Sequence, residues 1–172
     1  MRLARLGVVK LALLLCAVVV VAGVGAACGS TPSGEEALLD LFQIVVEERP
    51  HDPDSWSGLA DARLLNNDVD GAIEAQQRAA TLDPSNLDRV VALGQLYDQA
   101  GDAEAALSAL ENFTERNPTN AEAFRDLGSR AAQAGRTDLA RLAYQTFLRL
   151  DPDNPDADLV RDAIAELGDS GP

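Results

Sequence analysis

Four prolines, Pro50, Pro84, Pro118 and Pro152, stand 34 residues apart. Asp52, Asn86, Asn120 and Asn154 keep the same interval two residues beyond each proline, and so do Asp54, Asp88, Glu122 and Asp156. Three position classes with one period mark a repeat architecture, in which a unit finds its apolar partners in its neighbours.

Each class has a physical reason. Proline lacks a backbone N–H and closes a helix. The Asx residue offers its side-chain oxygen to an orphan N–H of the next helix, as an N-cap. The acid two residues on meets the positive end of that helix's dipole. Pro53 and Pro155 directly follow Asp52 and Asn154, at the favoured first helical position. The period therefore reads as helix stop, cap, helix start.

Two amphipathic helices fit between successive markers. In the first helices Trp56, Leu59 and Ala60 share one face, interrupted by Arg63; Val90, Leu93, Gly94 and Tyr97 fill the same slots one period on, then Phe124, Leu127, Gly128 and Ala131. A turn follows at Asn67-Asp68, Gly101-Asp102 or Gly135-Arg136, where Asn and Gly tolerate a left-handed backbone. The second helices carry Ala72, Gln76 and Ala79, then Ala106, Leu110 and Phe113, then Ala140, Tyr144 and Phe147. Small residues at Ala60, Gly94 and Gly128, facing Ala72, Ala106 and Ala140, let paired helices approach closely.

The pattern Trp56…Leu59-Ala60…Ala72…Ala79…Pro84 resembles the tetratricopeptide repeat, and the next two units match it about as well. The resemblance implies an all-α fold: a right-handed superhelical solenoid of antiparallel helix pairs with a C-terminal capping helix. Its units are a half-repeat over 35–52, repeats over 53–86, 87–120 and 121–154, and a cap over 155–167, together a domain over 35–168. Leu38, Phe42, Val45 and Pro50 sit in the frame of a lone second helix, and Leu159, Val160, Ala163, Ile164 and Leu167 share one face of the cap. Asp158 stands where an aromatic is expected, and the cap's other face is charged, as suits the end of a solenoid. Arg63 and Gln76 depart from the pattern and lead to the expectation that the first repeat packs less fully.

The first 28 residues follow a different logic. Arg2, Arg5 and Lys10 precede an uncharged run from Leu11 to Cys28, and the linker Gly-Ser-Thr-Pro-Ser-Gly occupies 29–34. This is the layout of an export signal. Gly25-Ala26-Ala27-Cys28 resembles a bacterial lipobox, which implies lipidation of Cys28, with Gly25 where that motif usually carries leucine. The run is also near the lower limit for spanning a bilayer, and Val24-x-Ala26 is a third possibility, a cleavage site releasing the domain. With the basic residues on the N-terminal flank, each option places the solenoid outside the cytoplasm, in the cell envelope.

Of the 14 basic residues only three precede Leu11, leaving 11 against all 28 acids and a net charge of −17 beyond Cys28. Nucleic-acid phosphates and anionic lipid head groups both require clustered Lys or Arg, so no nucleic-acid partner is expected. The same charge also serves solubility. Both cysteines, Cys16 and Cys28, lie in the N-terminal run, so the folded part has neither a disulfide nor a thiolate metal site. His51, between Pro50 and Asp52, reads as a turn residue. No phosphate loop or nucleophile–base set is present. The expectation is a protein without catalytic function, cofactor or metal.

What remains is binding. In the family the inner surface of the solenoid is lined by the first helix of each pair and holds an extended peptide or a helix. Carried over by position, this groove offers Ser57, Asp61 and Leu64, then Val91, Gln95 and Asp98, then Arg125, Ser129 and Ala132. These are not the lysines and asparagines with which some members clamp a terminal carboxylate. The expected occupant is a polar or basic segment of another protein with an apolar anchor near Leu64 and Val91. The same residues also suit a plain solvated face. Two readings compete with an adaptor: a structural tether in which the convex face or the incomplete N-terminal half-repeat packs on another copy, as a homo-oligomer, and a catalytically silent accessory subunit of an envelope maturation system such as cytochrome or cell-wall assembly.

Overall fold

The computed structural model describes residues 34–169; the signal-like run, Cys28 and most of the linker lie outside them. Among the described residues there are eight helices and no strands: α1 Gly34–Glu48, α2 Pro53–Leu65, α3 Val69–Leu82, α4 Leu87–Ala100, α5 Ala103–Arg116, α6 Ala121–Gln133, α7 Thr137–Leu150 and α8 Ala157–Asp169. Each helix packs on the next along the chain, giving the pairs α2–α3, α4–α5 and α6–α7 between the single helices α1 and α8.

The period marks the helix boundaries as the chemistry requires. The carboxylate of Asp52 accepts from Asp54 N (3.2 Å) and the amide oxygen of Asn120 from Ala123 N (3.1 Å), with Pro53 in the first turn of α2. Within the pairs, Asp68 caps α3 by accepting from Gly71 N and Asp102 caps α5 by accepting from Ala105 N, both at 2.9 Å. The turns before them place Asn67, Gly101 and Gly135 at positive φ, as their residue types allow.

Two caps depart from expectation. Asn86 makes no side-chain cap on α4; it turns back and donates through Nδ2 to Asp83 Oδ2 (3.1 Å). Pro155 does not open α8. The oxygen of Asn154 accepts from Asp156 N (3.0 Å) and its carbonyl from Ala157 N (2.9 Å), so a tight turn precedes the helix, which begins at Ala157.

The core runs along the seam between the two rows of helices. Ala72, Ala106 and Ala140 are fully buried, one in each pair. At Gly128 the helices meet so closely that a Cβ would run into the ring of Tyr144 on α7. At Gly58 the ring of Phe42 from α1 takes the same space. The first repeat is as well packed as the others, contrary to the expectation from Arg63 and Gln76. Gln76 is 4% exposed and donates Nε2 to the carbonyl of Arg89 (3.0 Å), and Arg63 Nη1 donates to that of Gly71 (2.7 Å). A buried polar side chain with its partner supplied costs little.

The end helices also correct details. In α1 the most buried residue is Val46, packed with Leu39 and Phe42, while Leu38 and Val45 are only half-buried. In α8 the core-facing stripe is the buried Ala157 and Val160 with the half-buried Ile164 and Leu167, and Leu159 is 68% exposed. Val160, Ile164 and Leu167 share the core-facing stripe of α8, and Leu159, one residue before Val160, falls off it. Among the described residues no helix is long and apolar enough to cross a membrane.

Candidate functional site: the inner groove

The 34-residue register gives the inner face a simple grammar. One row is Ser57, Val91, Arg125 and Leu159; the second is Asp61, Gln95, Ser129 and Ala163; the third is Leu64, Asp98, Ala132 and Glu166. The structure sets most of these along shallow clefts. Ser57 and Asp61 line one with Asp88 and Arg89, a cleft of about 290 Å³. Val91 and Asp98 line the next, with Asp126, Ser129 and Arg130. Arg125, Ser129, Leu159 and Ala163 line a third, and Ser129, Ala132, Tyr144 and Glu166 a fourth. Ser129 belongs to three of the four and is the centre of the groove. Small, open clefts strung along a surface suit an extended segment better than a compact small molecule.

Leu64 lines none of these clefts. It is half-buried and packs against the core formed by Leu59, Ala60 and α1. Val91 is half-buried in its cleft, and Gln95 and Asp61 are exposed. Leu159, which continues the row of Val91 by two periods, lines the third cleft. The helix α8 is thus more than a cap: its Leu159, Ala163 and Glu166 extend the groove by the width of one first helix.

The cations in the groove are already matched by acids of the same chain. Arg130 donates through Nη1 to both oxygens of Asp98 (2.9 and 2.8 Å) and lies over Gly94. Arg125 reaches Asp156 at 2.6 Å and Asp126 at 3.2 Å. Burial works against the charge of Arg125, but Asp126, Glu122 and Asp156 together hold its pKa above the usual arginine value. Arg89 bridges the first two repeats, donating to Ser57 Oγ (2.7 Å), to the Pro53 carbonyl (3.2 Å) and to Asp54 (2.6 Å). It too is held in its charged form against the cost of burial, by Asp54 and Asp83. Burial pushes the Tyr144 phenol up, with a hydrogen bond to Ser129 drawing it partly back, so it presents a neutral hydroxyl at the groove centre.

Arg89 and Arg130 escape a reading by local pattern because their partners are 35 and 32 residues away. The signal that finds them is an arginine about one period beyond an acid. Asp98 with Arg130, Glu104 with Arg136 (3.1 Å) and Asp54 with Arg89 all obey it. Elsewhere, His51 is an exposed turn residue, and Trp56 donates Nε1 to the Pro50 carbonyl (2.9 Å) while packing on the first core. Among the described residues no group of His, Cys, Asp and Glu is arranged to hold a metal.

Comparison with known proteins agrees with this architecture. Residues 43–157 match the family model described as the cytochrome c-type biogenesis protein H TPR domain. No curated protein sequence matches the chain. Among solved structures, a crystal structure of MamA is similar at TM-score 0.53 and 20% identity, over 76% of this chain and 81% of that one. YrrB, titled a TPR protein with an unusual peptide-binding site, is similar at TM-score 0.56 and 19% identity, over 78% and 70%. A second MamA structure reaches 27% identity at TM-score 0.55, over 76% and 70%. The neighbours share the tetratricopeptide solenoid fold.

Proposed function

Since this chain belongs to the cytochrome c-type biogenesis protein H TPR-domain family, we propose that it is a membrane-tethered adaptor that holds a segment of another protein in its inner groove. Tetratricopeptide domains are protein-interaction modules, typically without catalytic activity of their own. The family supports an accessory role in cytochrome c-type biogenesis, and the basic flank before the apolar N-terminal run supports an extracytoplasmic position. The peptide-binding site named for YrrB supports the use of such a solenoid to hold a peptide.

One observation carries the reading. Val91 and Leu159 present apolar surface on either side of the Ser129 centre, while Asp61 and Asp88 stand exposed at the N-terminal end. Arg89, Arg125 and Arg130 are bound by acids of the chain. The groove therefore favours a polar or basic segment with an apolar residue and disfavours an acidic one. Tethering rests on the N-terminal run: lipidated Cys28 is the preferred anchor, with an uncleaved transmembrane segment as the alternative.

Affinity capture from the native membrane tests both parts. Wild-type protein retains a partner that Val91→Glu with Leu159→Glu releases, and its intact mass begins at a lipidated Cys28. Equal retention by the double variant overturns the groove reading, and a mass beginning at Met1 assigns the transmembrane anchor.

A further inference from the structure

The helix α1 occupies the second-helix position of a pair whose first helix is missing from the described residues. In the register, Leu38 corresponds to Ala72, Ala106 and Ala140, each fully buried, and Leu41 to Ala75 and Ala143, 1% and 2% exposed, and to the half-buried Ala109. Leu41 is 51% exposed and Ile44 55%. With Ala37 they form an i, i+4, i+7 strip, which is one face of a helix. The strip is contiguous with the half-buried Leu38 and Val45. In the complete pairs the positions of Leu38 and Leu41 are covered by a helix, whereas that of Ile44 holds the exposed Arg78 and Asn112 and the half-buried Thr146, so Ile44 stands at the rim of the strip.

We propose that this face of α1 docks a basic amphipathic helix of another protein, laid where the missing first helix would lie. Charge selects that occupant. α1 carries Glu35, Glu36, Asp40, Glu47 and Glu48 and no basic residue, and Asp40, Glu47 and Glu48 are exposed around the strip. An apolar strip with an acidic rim matches a helix whose apolar face is flanked by lysine or arginine. Other occupants fit less well. A second copy paired α1 to α1 would bring rim acids against rim acids. Stacked end to end, a second copy would set the exposed Asp158, Arg161 and Asp162 of α8 on the leucines. Anionic lipid would be repelled, since helices that lie on membranes carry basic residues on their polar face. Leucines where the sister pairs have alanines also set the distance: the docked helix sits nearer the wide end of the usual interaxial range, about 10 Å.

The test uses the full-length protein in nanodiscs of zwitterionic lipid and a fluorescent helical peptide of roughly four turns, with a leucine–alanine face and lysine flanks. Anisotropy shows the peptide binding, about tenfold more weakly in Leu41→Glu with Ile44→Glu and unchanged in Val91→Glu with Leu159→Glu. A control peptide with glutamate in place of lysine does not bind wild type. Asp40→Lys with Glu47→Lys leaves the apolar strip intact, weakens the lysine peptide and admits the glutamate one. Absence of binding, equal binding of both peptides to wild type, or binding indifferent to Leu41 and Ile44 overturns the proposal. So does a protein that is dimeric until Leu41→Glu with Ile44→Glu makes it monomeric, which assigns the face to a second copy.

Discussion

The guanidinium of Arg89 meets the carboxylate of Asp54 at 2.6 Å across the junction of the first and second repeats. Asp54 is highly exposed, so the ion pair alone contributes little. The same arginine also donates to the Pro53 carbonyl and to Ser57, and its side chain is only 11% exposed. Arg89→Ala is expected to cost on the order of 1–3 kcal/mol, mostly through those less exposed hydrogen bonds. Asp54→Ala is expected to cost less than about 1 kcal/mol. Urea unfolding of the two variants separates the contributions.

Gly128 and Gly94 occupy equivalent slots but face different neighbours. An added Cβ at Gly128 would strike the Tyr144 ring, whereas at Gly94 it would meet the tip of Arg130 at 3.0 Å. Gly128→Ala is expected to destabilise by about 1–3 kcal/mol through overpacking. Gly94→Ala is expected to be near neutral, because alanine's helix preference of roughly 0.5–1 kcal/mol offsets a shift of a flexible side chain. Thermal melts of the two alanine variants distinguish them.

The α7 helix lacks the cap its sisters have, since Arg136 stands where Asp68 and Asp102 accept from the third residue of their helices. Arg136→Asp supplies that acceptor and is expected to stabilise by about 1 kcal/mol. The ion pair it forfeits, with Glu104, is exposed and weak. A raised thermal midpoint checks this.

Asp83 accepts hydrogen bonds from Asn86, Ser85 and Arg89. The Asn86 hydrogen bond and the Arg89 guanidinium hold its carboxyl below the usual value of 3.8. A depressed folded-state pKa contributes stability above the unfolded value that is lost as pH falls through the folded one. The stability difference between wild type and Asp83→Asn is therefore constant from pH 7 to about 5 and shrinks below the usual value of 3.8. Melts of both proteins between these limits cancel the charge effects they share.

The period makes the helix order legible because proline, Asx caps and left-handed turn residues act within a few residues of where they stand. Asn67, Gly101 and Gly135 end helices for reasons local to each. Side-chain direction at the ends of the solenoid is less legible. Leu159 reads as core by apolar spacing alone, yet the stripe that docks is Val160, Ile164 and Leu167, which leaves Leu159 on the cleft side. Leu64 reads as groove by register and is drawn into the first core by the extra packing of α1. Asn86 leaves its cap because Asp83 offers a competing acceptor three residues earlier. The arginine bridges depend on groups a full repeat away, which no local pattern contains.

In the proposed function, partners are held on the inner face. A photoreactive amino acid at Gln95, exposed in the middle row of the groove, tests it most directly against one at Arg78, exposed on the second-helix row. After irradiation in the native membrane, a partner adduct from position 95 and none from position 78 is the expected result. An adduct from position 78 with none from position 95 would contradict it.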